Sequence, residues 1–280
     1  MTSVQEKTTA EIARQLILGR DLDVAFLIEK KDPATLYFAL HSRKDLAPTS
    51  AVVRLIQGIY ATEPEKSRVL VRNRIYTTAP LTTMDRGMIQ VAAKRASEIH
   101  GNSELFEIPE KQVDLSETLN GLTSALEYEN HPRSTLAGCD DKAWMAFAVQ
   151  LTRPIQVSRE SQPALFLSNR PVAAVLVSKT GELLEWALNT NAVNKTLHAE
   201  LNLVQSFYRK FKTKLPAGSK LFTTLKPCKM CAAMLFDAAE DMRNFEAGLE
   251  VAFEVIYGED DPGPNARNTV LENFQRQLAP

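Results

Sequence analysis

The alternation of apolar and polar positions predicts one succession of elements that occurs twice along the chain. Helical spacing of apolar residues predicts a first helix at residues 9–18 and again at 141–151. Two apolar runs around a short turn then predict a β-hairpin at 23–40 and at 171–188. The next elements are a second helix (49–60; 197–211), a strand (68–77; 220–224) and a third helix (82–99; 228–242). A fourth strand (near Phe106; 251–258) and a last helix (115–129; 266–278) close each half.

The residues of the two halves also repeat. The hairpins read DVAFLIEKKDPATLYFAL and PVAAVLVSKTGELLEWAL, and six of the 18 pairs are identical at an offset of 148. At the same offset LIQGIY (55–60) aligns with LVQSFY (203–208), and at 146 IYTTAPLTTM (75–84) aligns with LFTTLKPCKM (221–230). Unrelated α/β segments can share apolar hairpins, but near-constant offsets across several blocks favour a duplication.

Alternating helices and strands predict a layered α/β fold. The polar stretch at 130–138, which contains Pro and Gly, predicts the boundary between the halves. We therefore expect a tandem duplication of a three-layer fold, with domains at residues 1–136 and 137–280. Each domain should hold a mixed sheet flanked by helices.

Composition excludes several classes of protein. Of 280 residues, 44% are hydrophobic and 24% charged, and 33 basic residues nearly balance 34 acidic ones. Apolar runs such as 144–149 are far shorter than the ~20 residues that a membrane helix needs, and no secretory signal is visible. Three cysteines do not support a disulfide scaffold, so we expect a cytoplasmic protein without a membrane partner.

Two short motifs in the second half carry chemistry. His198 and Glu200 open its second helix, and Pro227, Cys228 and Cys231 open its third, which gives the pattern H-x-E…P-C-x-x-C of zinc deaminases. Cysteines three apart share a helix face, so both sulfurs can reach one ion. One His and two Cys leave the fourth tetrahedral position of Zn²⁺ free, as a catalytic site requires. Glu200 is then expected to shuttle protons between a zinc-bound water, the substrate ring and the departing ammonia.

A closed structural zinc site, or ordinary buried cysteines, would be the alternative to a catalytic site. A closed site needs a fourth ligand. The remaining cysteine, Cys139, lies upstream of the first helix of this half, and the other histidines (His41, His100 and His131) all fall in the first half.

The second half resembles the zinc-dependent cytidine and deoxycytidylate deaminase superfamily over about residues 140–265. The stretch TTLKPCKMCAA (223–233) is closest in style to tRNA adenosine deaminases and guanine deaminases, and it is similar to predicted bacterial editing deaminases. The resemblance implies a five-stranded cytidine deaminase-like fold and an asparagine that binds substrate after the second strand. The candidate substrate contacts are Asn189, Asn191, Ala199, Lys226 and Lys229, with Asn194 as a further asparagine.

Three departures from that family are visible. Lys226 stands where Glu usually precedes Pro-Cys, and residues 152–170 form an unusual extension. The chain ends about 20 residues after the fourth strand, so a helix is expected there and a fifth strand has little room.

The first half lacks the ligands. At the repeat offsets Ser50 aligns with His198, Thr82 with Cys228 and Asp85 with Cys231, while Val52 aligns with Glu200. We expect a catalytically silent pseudo-domain that packs on the active domain as a second subunit would. A homodimer of the whole chain is a further possibility for assembly.

Charge is unevenly distributed around the motifs. Residues 195–229 contain eight basic residues and one acidic residue, whereas 230–261 contain nine acidic residues and one basic residue. The basic block favours a phosphorylated or nucleic-acid substrate, or it is a solvated helix end. The leading hypothesis is hydrolytic deamination of an amino-bearing base, with purine favoured, in a nucleobase-containing small molecule or in RNA or single-stranded nucleic acid. The alternative is a zinc-stabilised nucleic-acid-binding module without turnover.

Overall fold

The computed structural model describes residues 6–31, 33–93, 96–99, 104–117, 138–153, 170–192 and 194–278. Two five-stranded mixed sheets organise the chain, one in each half, and a two-stranded ribbon accompanies the first. In the described part of the chain, no helix is long and apolar enough to cross a membrane.

The N-terminal half begins with a short strand that leads into a well-capped helix. Thr8 and Glu11 form a capping box at the start of that helix, which satisfies two of its free amides. Its strands are β1 (Glu6–Thr8), β2 (Leu22–Glu29), β3 (Thr35–Ser42), β4 (Ile75–Thr77), β5 (Ala96–Glu98), β6 (Leu105–Glu107) and β7 (Lys111–Asp114). Its helices are α1 (Thr9–Ile17), α2 (Ala51–Thr62), α3 (Ser67–Leu70) and α4 (Thr83–Ala92).

The C-terminal half follows the same plan. Asp140 caps its first helix by accepting a hydrogen bond from the Ala143 amide. Its helices are α5 (Asp141–Thr152), α6 (Ala199–Phe211), α7 (Lys229–Ala238) and α8 (Met242–Glu246). Its strands are β8 (Ala173–Val177), β9 (Leu183–Leu188), β10 (Lys220–Leu225), β11 (Glu254–Glu259) and β12 (Gln275–Gln277).

Four strands have the same order and directions in both sheets. The order β5-β4-β2-β3 in the first sheet matches β11-β10-β8-β9 in the second. In each sheet the hairpin and the next pair are antiparallel and the following pair is parallel. The fifth strand differs, because β7 extends the first sheet beside β3 whereas β12 extends the second sheet beside β11.

The helices form layers on both faces of each sheet. Helix α1 packs its apolar face against one side of the first sheet, and α5 does the same on the second. A single large apolar core joins α2 and α4 to α6 and α7 and to the inner faces of both sheets. The two halves are thus three-layer α/β units that share one continuous core, and the expected fold class is confirmed.

Equivalent residues of the two halves contact each other at this central layer. The Gln205 amide donates to Oε1 of Gln57 at 3.0 Å, and these positions correspond at the offset of 148. A Cβ added to Gly87 would lie against Cβ of Ala233, its counterpart at the offset of 146. A residue meets its own counterpart only beside a two-fold axis, so the halves pack as the subunits of a symmetric dimer do.

Several predicted elements are wrong in detail. The predicted helix 82–99 ends at Ala92, and β5 follows and pairs with β4, although no Gly or Pro marks the end of the helix. The fourth strand of the first sheet is therefore β5, while Phe106 lies in β6 and pairs with β1. In the predicted strand 68–77 only the last three residues are strand, because 67–70 form α3.

The end of the chain also differs from its prediction. Residues 266–278, predicted to be a helix, form two 3₁₀ turns and β12, the fifth strand that had been expected to lack room. Arg276 holds this strand through ion pairs with Glu254, at 2.6 Å, and with Asp141. Pairing with β11 thus outweighs the helical propensity of the Gln and Arg residues. The other predicted last helix, 115–129, lies outside the described residues beyond Glu117, and residues up to Glu117 are not helical.

Candidate active site

His198 and Cys228 are the N-caps of helices α6 and α7. Both have extended backbone dihedrals, and within the described structure neither side chain caps its own helix. Cys231 follows in the first turn of α7. Because both N-cap side chains are free of capping bonds, they turn towards each other across the junction of the two helices.

The three predicted ligands lie together. Nδ1 of His198 is 3.6 Å from Sγ of Cys228 and 3.4 Å from Sγ of Cys231, and the two sulfurs are 3.5 Å apart. Both cysteines are buried, whereas His198 is partly exposed. Among the described residues, this is the one group of three or more potential ligand side chains close enough to share an ion.

The spacing of these donors fits zinc. Tetrahedral coordination with Zn–S of about 2.3 Å and Zn–N of about 2.0 Å separates two sulfurs by about 3.8 Å and a sulfur from a nitrogen by about 3.5 Å. The observed distances of 3.4–3.6 Å are close to these values. Two thiolates also match the charge and softness that zinc prefers.

Glu200 lies directly beside this cluster. It is 3% exposed, in the first turn of α6, and Sγ of Cys231 donates to its Oε2 at 3.3 Å. Burial raises the pKa of Glu200 above its usual range. The thiols affect each other: the hydrogen bond between Cys228 and Cys231 lowers the pKa of Cys228, and burial raises the pKa of Cys231. The arrangement therefore places a proton acceptor next to a thiol pair that can share one negative charge.

A small pocket opens onto the cluster. Its volume is 50 Å³, and an adjoining groove of 630 Å³ shares part of its wall. The pocket is lined by Arg170, Val172, Asn189, Asn191, His198, Ala199, Glu200, Leu225, Lys226, Cys228 and Asp261. Most predicted site residues thus meet at one cavity, and Lys229 is not among the described lining residues.

Two asparagines present free acceptors in this wall. Nδ2 of Asn189 donates to the carbonyl of Arg170 at 3.2 Å, which fixes the orientation of the amide. Oδ1 of Asn189 and Oδ1 of Asn191 are buried without a hydrogen-bond partner among the described residues. Buried acceptors are normally satisfied, so these two oxygens indicate a ligand or water with N–H or O–H donors.

The basic block does not converge on the pocket. Lys226 lines it, but its Nζ lies 3.6 Å from Glu272 and 3.8 Å from Asp260, above the ring of Tyr257. Lys210 and Lys220 pair with carboxylates elsewhere in the half: Lys210 with Glu185 and Lys220 with Asp141. Lys226 is thus the one residue of the basic block among the described lining residues, and Lys210, Lys220 and Lys226 each face carboxylates.

Arg170 and Asp261 are pocket residues that the sequence analysis did not select. Their side chains form an ion pair at 3.4 Å across the mouth. Asp261 belongs to the stretch YGEDDPG (257–263) at the end of the fourth strand, and that stretch was the available signal. Arg170 is the last residue of the extension at 152–170 and belongs to no recognised motif.

The equivalent positions of the N-terminal half are tied by hydrogen bonds instead. Ser50 and Thr82 are the N-caps of α2 and α4, and each caps its helix through its hydroxyl oxygen. Asp85 is 2% exposed and accepts from Ser50 and from both the amide and the hydroxyl of Thr82. These oxygens bond one another where the C-terminal half presents sulfur and nitrogen donors.

Comparison with known proteins identifies the family. The model of the Bd3614-like deaminase N-terminal region matches residues 18–100, and that of the Bd3614-like deaminase matches residues 164–278. A tRNA-specific adenosine deaminase of Aquifex aeolicus (strain VF5) is 35% identical over 117 residues, which cover 39% of this chain and 75% of that protein.

Solved structures of deaminases are similar to part of the chain. A tRNA:A34 deaminase matches at 22% identity and a TM-score of 0.36, over 49% of this chain and 98% of its own. A guanine deaminase from Nitrosomonas europaea matches at 17% identity and a TM-score of 0.37, over 55% of this chain and 88% of its own. With both halves matched by its models, the chain belongs to the Bd3614-like deaminases, a family of hydrolytic enzymes.

Proposed function

We propose that the chain is a zinc-dependent hydrolytic deaminase that acts on an amino-bearing nucleobase, with purine favoured, and releases ammonia. The observation that carries this proposal is the cluster of His198, Cys228 and Cys231 with Glu200 in contact, at the base of a pocket. A purely structural zinc site has no use for that carboxylate. The adenosine deaminase of A. aeolicus supports adenine as the base.

In this proposal the three donors hold Zn²⁺, which when bound supplies a water-derived nucleophile at neutral pH. Glu200 would accept one proton from the attacking water and pass it to a ring nitrogen. It would then accept the proton of the hydroxyl newly bonded to the carbon and donate it to the amine, so that a carbonyl forms as ammonia leaves and one carboxylate serves as base and then as acid. Its position inside the pocket and its burial favour this role.

Substrate recognition is assigned to the asparagines. The free oxygens of Asn189 and Asn191 would accept from N–H groups of the base. The small pocket would receive the amino-bearing edge of the base, and the larger groove would receive the rest of the base with the sugar, phosphate or neighbouring nucleotides. Arg170 and Lys226 are the cationic side chains at the mouth of the pocket that would bind a phosphate group of the substrate. In the structure each of them forms ion pairs with carboxylates.

The N-terminal half is proposed as the non-catalytic partner of the C-terminal half, with domains at 1–136 and 137–280. The oxygen network of Ser50, Thr82 and Asp85 supports this division, since these side chains are occupied with one another. The active domain thus receives within one chain the neighbour that a second subunit would otherwise provide.

The test compares the wild-type protein with the Glu200→Gln variant on nucleobases, nucleosides, nucleotides and tRNA. Wild-type protein should release ammonia and raise the mass of one substrate by about 1 Da, and the variant should lose about 10²–10⁴-fold in rate while keeping its zinc. Glu185→Gln is a matched control, because Glu185 is a buried carboxylate of the same half outside the pocket. It should keep wild-type turnover per folded molecule.

A protein that binds zinc and nucleic acid but releases no ammonia from any of these substrates would overturn the proposal. It would favour the zinc-stabilised binding module instead. Equal rates for wild type and Glu200→Gln would contradict the role of Glu200 alone.

A further inference from the structure

We infer that Asn194 is a positioning residue for the metal ligand His198, and that it is held in place by the N-terminal half of the chain. The inference rests on the proposed metal site. It concerns the loop between β9 and α6, which delivers His198 to the N-terminus of α6. Because His198 is the N-cap, the backbone of this loop sets the direction of its imidazole.

Asn194 links the two halves through a buried hydrogen bond. Its Nδ2 donates to the backbone carbonyl of Gln57 in α2 at 2.9 Å, and both residues are 0% exposed. A helix carbonyl has a second lone pair available for such a donor. A hydrogen bond in an interior of this kind is costly to break, because the freed polar groups have no water to replace it.

The other side of the same amide organises the loop. Oδ1 of Asn194 accepts from the Thr196 amide at 3.1 Å and from the Thr196 hydroxyl at 2.7 Å. The Asn194 carbonyl accepts from the Leu197 amide, and the Thr196 carbonyl accepts from the His198 amide, both at 2.9 Å. Asn194 therefore connects α2 of the N-terminal half to the backbone of His198 by an unbroken series of hydrogen bonds.

A second asparagine holds the loop from within its own half. Nδ2 of Asn202 donates to the Leu188 carbonyl at 2.7 Å and to the Thr190 hydroxyl at 3.0 Å. Asn202 thus holds the start of the loop and, through a longer contact of 3.4 Å to the Leu197 carbonyl, its end, while Asn194 holds its middle. Of these contacts, the bond from Asn194 to Gln57 is the one that involves the other half of the chain.

The hydrogen bond of Asn194 has no equivalent in the N-terminal half. At the offset of 148 the counterpart of Asn194 is Leu46, whose side chain cannot donate a hydrogen bond and which is 61% exposed. The bond exists where the loop leads to a predicted metal ligand, and it is missing where the equivalent loop leads to Ser50. Asn194 is also not among the described residues that line the pocket, which separates it from the substrate contacts.

The experiment measures metal binding by the full-length Asn194→Ser and Asn194→Ala variants. Serine retains a hydroxyl that can bond the loop but cannot reach Gln57, and it is the milder change if alanine prevents folding. We expect the zinc dissociation constant, measured against a competing chelator, to rise by about tenfold. The visible spectrum of bound Co²⁺ should change as well, because the imidazole no longer holds one orientation.

Tyr208→Phe is the matched control. It removes the hydrogen bond of the Tyr208 hydroxyl to Asp45, at 3.1 Å, which also joins the two halves and starts from α6, the helix that follows the Asn194 loop. Zinc affinity and the Co²⁺ spectrum should remain those of the wild type. Metal-free unfolding of all variants separates loss of stability from loss of positioning.

Wild-type zinc affinity and an unchanged Co²⁺ spectrum in a folded Asn194 variant would overturn the inference, whatever happens to stability. An equal loss of affinity in Tyr208→Phe would also overturn it, since any weakening of the interface would then suffice. A wild-type protein that binds zinc but releases no ammonia would contradict the proposed function and still allow this comparison of metal binding.

Discussion

The two halves of the molecule place different chemistry on the same scaffold. In each half, two helix N-cap residues and one residue of a first helical turn lie in contact. They are His198, Cys228 and Cys231 in the C-terminal half, and Ser50, Thr82 and Asp85 in the N-terminal half. Ser50 and Thr82 cap their helices, whereas His198 and Cys228 do not. A side-chain cap contributes about 1 kcal/mol, so the metal-capable half forgoes stability that its neighbour retains.

The comparison indicates that side chains must connect the two helix N-termini that meet at this junction. In the N-terminal half, hydrogen bonds between oxygen atoms of Ser50, Thr82 and Asp85 make this connection. In the C-terminal half two thiols and an imidazole lie 3.4–3.6 Å from one another, at the spacing of donors that can share an ion. Such local departures from good capping are expected where a protein binds or reacts.

The largest effects should come from two single variants, each of which removes one member of the aligned pair Cys231 and Asp85. Cys231→Ser removes a thiolate donor, so bound zinc and ammonia release should both fall to background. Asp85→Ala leaves two hydroxyls without their acceptor and should reduce the free energy of unfolding by about 2 kcal/mol, with zinc retained. Elemental analysis and urea denaturation check the two outcomes.

The comparison between the halves would fail if the effects were reversed. Loss of zinc in a folded Asp85→Ala protein would mean that the N-terminal half takes part in metal binding directly. Full zinc content in Cys231→Ser would exclude this cysteine as a ligand.

A smaller effect is expected at the contact between α4 and α7. In Gly87→Ala the new methyl group would lie 2.6 Å from the Lys229 carbonyl and closer still to Cβ of Ala233. This overpacking should lower the free energy of unfolding by about 2 kcal/mol. The double variant with Ala233→Gly exchanges the two residues across the axis and should recover part of the loss. A double variant no more stable than Gly87→Ala would show that the clash lies with the Lys229 backbone alone.

The smallest effect concerns pH and the residue that aligns with Asn189. His41 is buried with Nδ1 unpartnered among the described residues, and burial lowers the pKa of His41, aided by Arg54 and opposed by Asp45, Asp23 and Asp85. A lowered pKa in the folded state means that protonation favours unfolding. The free energy of unfolding should therefore be highest above the unfolded-state pKa of His41, about 6.5. It should decrease as the pH falls from that value towards the lower pKa of the folded state.

His41→Asn installs the residue of the other half and should flatten this pH dependence. Urea unfolding midpoints of wild type and variant between about pH 8 and pH 5 provide the measurement. Parallel curves would show that His41 titrates alike in both states and that other groups cause any acid destabilisation.

Much of the architecture follows from local sequence patterns. The hairpins appear as β2–β3 and β8–β9, and the H-x-E and P-C-x-x-C motifs lie at adjacent helix N-termini. The predicted helices that do form begin within two residues of their predicted starts, because N-cap residues are local signals, whereas the helices predicted to begin at 115 and 266 do not begin there. The end of α4 was not, since Ala92 precedes a strand without Gly or Pro.

Contacts between distant residues could not be predicted in this way. The bond from Asn194 to Gln57 joins residues 137 apart, and the pair of Arg170 with Asp261 joins residues 91 apart. Strand β12 likewise depends on partners far back in the chain, among them Asp141. Their formation depends on how the halves and sheets pack, which no window of sequence contains.

The pairing of Gly87 with Ala233 bears on how such a molecule can evolve. In a homodimer one codon sets both sides of the axis, so this position would have to be Gly facing Gly or Ala facing Ala. Two alanines would collide at this separation, and two glycines would leave a gap. A single gene that encodes both sides separately allows the unequal pair. It equally allows an asparagine on one side and Leu46 on the other, so covalent linkage lets each copy accumulate substitutions that its counterpart could not tolerate.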